Sequence, residues 1–470
     1  MSPLNGDIVW LPSPSAVTFI AMMFPQITLN IALVFSLDVV IVGGGAAGTY
    51  AAVQLFDRGV DVLVIEKQSD LGGHADTYVD PTTGTPLNAG VQILHNTSFV
   101  RQYAARLGVT LQRPAVDSNT TTTLAVDFRT GQHVANPLAD AETYTALAQY
   151  LKIRTTNFSY LEDGFYLPDP VPSDLIIPFG DFAIKYGIEK SVFLLNQYTQ
   201  GCDISKVPAV YALVTCGQEL VGEILNGGDF LTTRDINDLY RSAATILGNR
   251  VLFNSSIRSV SRDVDEVTVK TRQNGTNTAI KAKKLLMTGA PLLRNLKGWD
   301  LTAEEAALFS KFDTFGYYAG VVSNPSFPDA TSFTNVNANT TFRTPEPPAL
   351  FNIGNTPFSN KTRTTYYATK PNWNSDRAAK RALADLDSLV QKLGYGTTKT
   401  KLLAWYPHGP FNLEVSPDEI KRGFYRRLYG LQGKTRTWWS GATWQAQDSS
   451  QIWYYTATLI DALATKQSTD

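Results

Sequence analysis

Gly43, Gly45 and Gly48 form a G-x-G-x-x-G with Gly44, Ala46 and Ala47 between them, and Glu66 follows 23 residues after Gly43. Glycines at this spacing let a chain turn sharply, bring bare backbone up to a diphosphate, and pack a helix closely on a strand. The first N–H groups of the following helix, with its dipole, favour negative charge. A carboxylate at the distance of Glu66 can accept hydrogen bonds from both hydroxyls of a ribose. The chemistry is that of a dinucleotide site.

Such glycines act only between a strand and a helix. Asp38–Val42 (DVVIV) is a β-branched run of the kind buried in parallel sheets. Thr49–Asp57 reads as a helix stopped near Gly59, and Asp61–Ile65 (DVLVI) as a second strand ending at Glu66. Downstream, Ile236–Leu247 reads as helix. Arg250–Phe253, Val267–Lys270 and Lys284–Thr288 read as strands, with a hairpin turn at Asn274-Gly275. Thr435–Trp439 delivers Ser440-Gly441-Ala442, and Asp448 or Ser449 caps a last helix running to about Leu463.

Leu71-Gly72-Gly73-His74 extends the first motif. VVIVGGGAAGTYAAVQL followed by VIEKQSDLGGH resembles the FAD-binding start of the flavin amine oxidoreductase superfamily. The Gly-Gly-His variant is similar to fungal flavoproteins of the β-cyclopiazonate dehydrogenase type and to the polyunsaturated fatty acid isomerases. The resemblance implies FAD, with backbone at Gly72 and Gly73 against its phosphates and ribityl chain. His74 stands where amine oxidases usually carry arginine. Pro86-Leu87-Asn88-Ala89-Gly90-Val91 resembles the segment that lies beside the isoalloxazine ring, with His95 within hydrogen-bonding reach of it. Ile257 matches the position that contacts adenine. Gly441 and Ala442 match the segment near the flavin N1–C2 edge, where most relatives have an acidic residue after the glycine. The implied cofactor-binding set is Gly43, Gly45, Ala46, Ala47, Gly48, Glu66, Lys67, Gly72, Gly73, His74, Asn88, Ala89, Gly90, Val91, Ile257, Gly441 and Ala442.

The expected fold class is α/β: a Rossmann-like FAD-binding domain of the glutathione-reductase and amine-oxidase type, with an interleaved α+β substrate domain. The FAD-binding parts are 38–99, 206–291 and 401–470; the substrate-binding parts are 100–205 and 292–400. Helices are expected at Phe99–Leu107, Ala141–Thr155, 301–312 and 376–393, and strands and loops over 313–370. No second G-x-G-x-x-G occurs, so a separate NAD(P)H domain is not expected. Reoxidation then falls to O₂ or another electron acceptor, unless the flavin returns to its starting state within one turnover.

The cofactor carries the hard step, and the protein binds, orients and tunes. His408, in the Pro/Gly-locked Tyr406-Pro-His-Gly-Pro410, is the candidate base; a structural loop histidine is the alternative. Tyr406 and Trp444 are the aromatics chosen for substrate contact. Three activities are consistent with these residues. One is an oxidase or dehydrogenase passing a hydride from a small apolar or amine-containing metabolite to flavin N5, within secondary metabolism. The second is a double-bond isomerase of polyunsaturated fatty acids, and the third a flavin-retaining binding protein without turnover.

Composition excludes other classes. The 470 residues carry 41 Lys+Arg against 42 Asp+Glu, so no basic field advertises nucleic acid. Two cysteines and four histidines are too few for a zinc cluster, and no metal is expected. Cys202 and Cys216 would pair in an oxidising compartment, or stay as buried thiols. No Lys or Arg precedes Arg58, and residues 16–36 are uncharged and long enough to span a bilayer. Pro25, Gln26 and Asn30 interrupt that stretch, so 1–37 is read as a signal peptide, an anchor or an apolar extension. N-x-S/T sequons begin at Asn96, Asn119, Asn157, Asn254, Asn274, Asn339 and Asn360. They lean the expectation towards a glycoprotein that is secreted or in the endomembrane lumen, the alternative being cytoplasmic.

Overall fold

The computed structural model describes residues 36–114, 121–199, 201–358, 361–371 and 373–465. Nearly all of the apolar 1–37 segment, and the sequons at Asn119 and Asn360, therefore lie outside the described residues. Among those described, no helix is long and apolar enough to cross a membrane.

The β-branched run forms a strand over Ser36–Val42, in which Val39, Val40 and Ile41 are fully buried. Burying each such side chain stabilises the fold by roughly 1.5–3 kcal/mol. This strand lies between Val62–Ile65 and the far half of Thr276–Met287, parallel to both. Val251–Leu252 extends the sheet beyond Val62–Ile65, and Thr437–Trp439 extends it beyond Thr276–Met287, again parallel. The near half of Thr276–Met287 turns antiparallel through Val267–Gln273 and on to Ser255–Arg262. The hairpin turn falls at Asn274, φ +48°, and Gly275 as expected. Parallel strands in this order, with a helix after the first, make the Rossmann-like unit.

The second sheet is mostly antiparallel, running in space from Lys401–Pro407 through Asp313–Ser323, Thr362–Thr369, Ala349–Asn355 and Thr331–Asn335 to Thr122–Asp127 and Gln132–His133. Phe411–Glu414 also pairs with Asp313–Ser323. One face packs Tyr318, Tyr367, Leu350 and Ile353 against Ala378, Ala382, Leu386 and Leu389 of the helix Ser375–Lys392. The other face carries Tyr317, Tyr366 and Phe411. Strand alternation separates these neighbours: Tyr317 and Tyr318 point opposite ways, as do Tyr366 and Tyr367.

The structure moves several expected boundaries. Residues 401–414 pair with the second sheet, so the 401–470 segment is divided between the two units. Helices Ala209–Thr215 and Gln218–Leu225 pack on Phe179–Tyr186 and Ala141–Asn157, helices of the 100–205 part. The first helix begins at Ala46 rather than Thr49, because Gly45 already has N-cap geometry. The 301–312 helix shrinks to Ala303–Phe309, where a Thr302–Glu305 capping box fixes its start. Cys202 and Cys216 are buried, unpaired thiols.

Candidate functional site

Gly43 ends the first strand with φ +102°, a conformation that favours glycine. A Cβ on Gly48 would lie 1.8 Å from the Gly43 carbonyl oxygen, so the chain itself demands glycine there. Gly45 is different. Its φ is -73°, and a Cβ would meet nothing nearer than the Gly73 Cα at 3.8 Å. Neither conformation nor packing requires a glycine at 45, so its bare backbone at a helix start is a cradle that suits a diphosphate.

Glu66 is buried beside this turn. Its Oε2 accepts from the Gly44 N–H at 2.6 Å and its Oε1 from the Gln68 N–H at 2.8 Å. The Ser255 N–H donates to the Glu66 carbonyl, which starts the strand carrying half-buried Ile257 next to the acid. Lys67 is exposed. Gly72 donates to the Gly44 carbonyl at 2.8 Å, laying the Gly72-Gly73 pair on the glycine turn, and both residues have positive φ.

The other implied segments converge on the same place. The N–H groups of Ala89 and Gly90 both donate to the Asp76 carbonyl, and that of Val91 to the His74 carbonyl. A Cβ on Gly90 would sit 1.9 Å from the His74 oxygen. Asn88 turns its amide away, donating to the Thr233 carbonyl and accepting from the Ile236 N–H. The Thr288 hydroxyl donates to the Gly43 carbonyl at 3.0 Å. A Cβ on Gly441 (φ +103°) would lie 2.7 Å from the Thr288 carbonyl oxygen. Gly441 and Ala442 thereby stand beside the glycine turn, although almost 400 residues separate them in sequence.

His74 stacks on His408, ring centroids 4.7 Å apart. The His408 Nε2 lies 2.8 Å from the Asp76 Oδ2, and its backbone N–H donates to the Tyr317 carbonyl. Burial, then the charges of His408 and Lys67, push the His74 imidazole down to about 3, leaving it neutral. Tyr406 donates its hydroxyl to the Thr77 carbonyl at 3.2 Å. Tyr317 stacks on Tyr366 and sits 4.6 Å from Phe411, extending this group into an aromatic wall. The Gln92 amide donates to the Tyr366 hydroxyl.

His408 and Tyr406 thus reach the glycine-histidine segment, but Trp444 does not. A tight turn, with the Trp444 N–H on the Gly441 carbonyl, drives its indole into the core. There it is fully buried and stacks on Trp439 at 6.1 Å. Trp444 packs the base of the site instead of facing a substrate. His95 is held between Glu223, 2.6 Å from its Nδ1, and Asp448, 3.4 Å from its Nε2. Burial opposes its charged form. The Asp448 and Glu223 carboxylates, aided by Glu219, outweigh that and take it up to about 9. Asp448 also caps the last helix, accepting from the Gln451 N–H at 2.9 Å.

Sequence reasoning missed the wall of Tyr317, Tyr366 and Phe411. Strand alternation marks which tyrosines share a face but not what that face meets. A small cavity of about 30 Å³ has Cys202, Tyr211, Asn412, Glu414, Ala442 and Gln445 in its lining.

Comparison with known proteins places this geometry. The model of the NAD(P)-binding Rossmann-like domain matches residues 41–107. The chain is 36% identical over 446 residues to β-cyclopiazonate dehydrogenase of Aspergillus flavus, covering 93% of this chain and 95% of that one. The chain belongs to that family of FAD-dependent oxidoreductases. Another family member, an FAD-dependent oxidoreductase of Colletotrichum higginsianum, is 32% identical, with 93% and 94% covered. Among solved structures, a CLA-producing fatty acid isomerase from P. acnes superposes with TM-score 0.75 at 19% identity, over 91% of this chain and 98% of its own. Putrescine oxidase bound to putrescine superposes with TM-score 0.64 at 14% identity, covering 92% and 98%. These two likenesses carry the fold alone. The family member described here is an FAD-dependent oxidoreductase with a fold like that of the amine oxidases, and FAD fits the bare Gly45 cradle beside Glu66.

Proposed function

We propose that this oxidoreductase oxidises a small, largely apolar metabolite of secondary metabolism, and that the convergence of the glycine turn, the His74–His408 pair and the Tyr317–Tyr366–Phe411 wall carries that reading. Bound FAD supplies the acceptor, at its N5, for a hydride from the substrate. Gly43, Gly45, Ala46, Ala47 and Gly48 would hold the diphosphate on the helix start, and Glu66 would receive the ribose, with Lys67 flanking it at the surface. Ile257 would pack on the adenine. Gly72, Gly73, His74 and the Asn88–Val91 backbone would align the ring system, with Gly441 and Ala442 holding its N1–C2 edge.

The chain's own side chains do the rest. The aromatic wall excludes water and holds apolar surface. Asp76 orients His408, whose imidazole takes the substrate proton. Neutral His74 adds no positive charge where an arginine would.

The test is anaerobic mixing of the FAD-loaded protein with β-cyclopiazonate, the compound in the relatives' name, or with a polyunsaturated fatty acid. Bleaching of the yellow flavin by the first, with recolouring on O₂, is the expected outcome. Turnover of the fatty acid to a product of unchanged mass, without O₂ uptake, would establish the isomerase instead. No bleaching by any metabolite fraction would leave a flavin-retaining binding protein. The sequons and the apolar N-terminal stretch support a secreted or luminal protein. An endoglycosidase-sensitive mobility shift of the protein from a fungal host checks that location.

A further inference from the structure

Tyr366 gives the aromatic wall a hydroxyl that the hydride and proton steps leave unused. Its ring stacks on Tyr317 at 6.0 Å and shares an apolar cluster with Phe351, Ala368 and Phe411, leaving 6% of the residue exposed. Gln92, exposed and one residue past Val91, donates its amide to the Tyr366 hydroxyl, so an open side chain meets the polar end of the buried ring. The same Nε2 donates to the Asn88 carbonyl at 3.0 Å. That second bond fixes which end of the amide faces Tyr366, because an amide oxygen in its place would oppose the carbonyl oxygen. In this pair the Tyr366 oxygen is therefore the acceptor, and its own proton turns away from Gln92. No described residue accepts that proton. A single donor at the edge of an apolar wall is what sets the orientation of a ligand.

Resting on the reading that substrate lies against this wall, we propose that Tyr366 donates a hydrogen bond to a carbonyl-class oxygen of the substrate, with Gln92 as the residue that positions the donor. The oxidised molecule then carries an oxygen acceptor beside its apolar body, and Tyr366 is a specificity-determining residue. An aliphatic amine is protonated near neutrality and offers no lone pair, so the acceptor is oxygen rather than amine nitrogen. Burial pushes the Tyr366 phenol up, outweighing the opposite pull of the Gln92 amide, and keeps the hydroxyl a donor. A site built around such a donor discriminates against an analogue that lacks the acceptor, because the hydroxyl is then left unpaired.

The test uses two probes on the FAD-loaded protein: acetophenone, and α-methylstyrene, which has the same shape with a methylene in place of the carbonyl oxygen. Binding is read as a perturbation of the flavin spectrum. Wild type is expected to bind acetophenone about tenfold more tightly than α-methylstyrene, a comparison that needs no variant to fold. Tyr366→Phe keeps the ring and its stack, and should abolish the preference while the melting temperature and the resting flavin spectrum stay as in wild type. Gln92→Glu replaces the amide donor with an acceptor that captures the Tyr366 proton, so it should abolish the preference as well. Gln92→Ala only frees the hydroxyl to rotate, and should weaken acetophenone about threefold. A merely structural Gln92 would give the reverse order, with the isosteric glutamate the milder change, and that result would overturn the proposal. Equal affinity for the two probes in wild type, or no acetophenone binding, would overturn it too. A Tyr366→Phe flavin spectrum that shifts without any probe would assign the hydroxyl to the flavin instead. Failure of the wider reading looks different and takes this proposal with it: the protein would retain no FAD, or no metabolite would bleach it.

Discussion

The two halves of the site are made of different material. At the glycine turn the site is backbone: Gly43, Gly45, Gly73 and Gly441 contribute position and N–H groups, and Glu66 is the lone carboxylate among them. On the second sheet it is side chain: Tyr317, Tyr366, Phe411 and His408 come from three strands and a loop. A backbone site constrains its own sequence locally, because a Cβ 1.8 or 1.9 Å from a carbonyl oxygen is forbidden. A side-chain site constrains only which face a residue occupies. Under the proposed function, one half holds the cofactor and the other meets the substrate.

The largest effect expected from this contrast is at Gly48. Gly48→Ala should cost more than ~3 kcal/mol by forcing the turn apart, leaving little folded protein in a thermal melt. His408→Asn should leave the flavin content and melting temperature near wild type and cut turnover about a hundredfold. Loss of flavin in that variant would move His408 from the substrate half to the cofactor half. His95 gives a smaller and pH-dependent effect. Its folded value, about 9, exceeds the unfolded value of about 6.5. Its stabilisation is therefore complete below about pH 6.5 and lost as pH rises through about 9. His95→Gln should cost about 1–3 kcal/mol at pH 6 and much less near pH 9.5, read by denaturant melts. Trp444→Phe should be the mildest, lowering stability by about 1 kcal/mol with turnover changed less than twofold, since the indole is packed away from the aromatic wall.

This contrast also explains how much was legible beforehand. The strand, turn, helix and acid from Asp38 to Glu66 could be read because each step depends on neighbours in sequence. The Gly441 segment could be read because its close approach to Thr288 admits only glycine. Trp444 was misjudged because its nearness to Gly441 in sequence says nothing of the inward turn that buries it. The second sheet reaches into 401–414, which pairs with residues about 90 positions earlier. No local pattern records that pairing, or that Tyr317 and Tyr366 face the glycine-histidine segment while Tyr318 and Tyr367 face a helix.

The most direct test of this division is the FAD content of Gly45→Ala set against its melting temperature without cofactor. Gly45 is a glycine that the chain has no need of, so its value must lie in the ligand. The account predicts an apo protein that melts with wild type and binds FAD about a hundredfold more weakly. A variant that keeps full FAD affinity, or one that loses its fold along with its flavin, would contradict it.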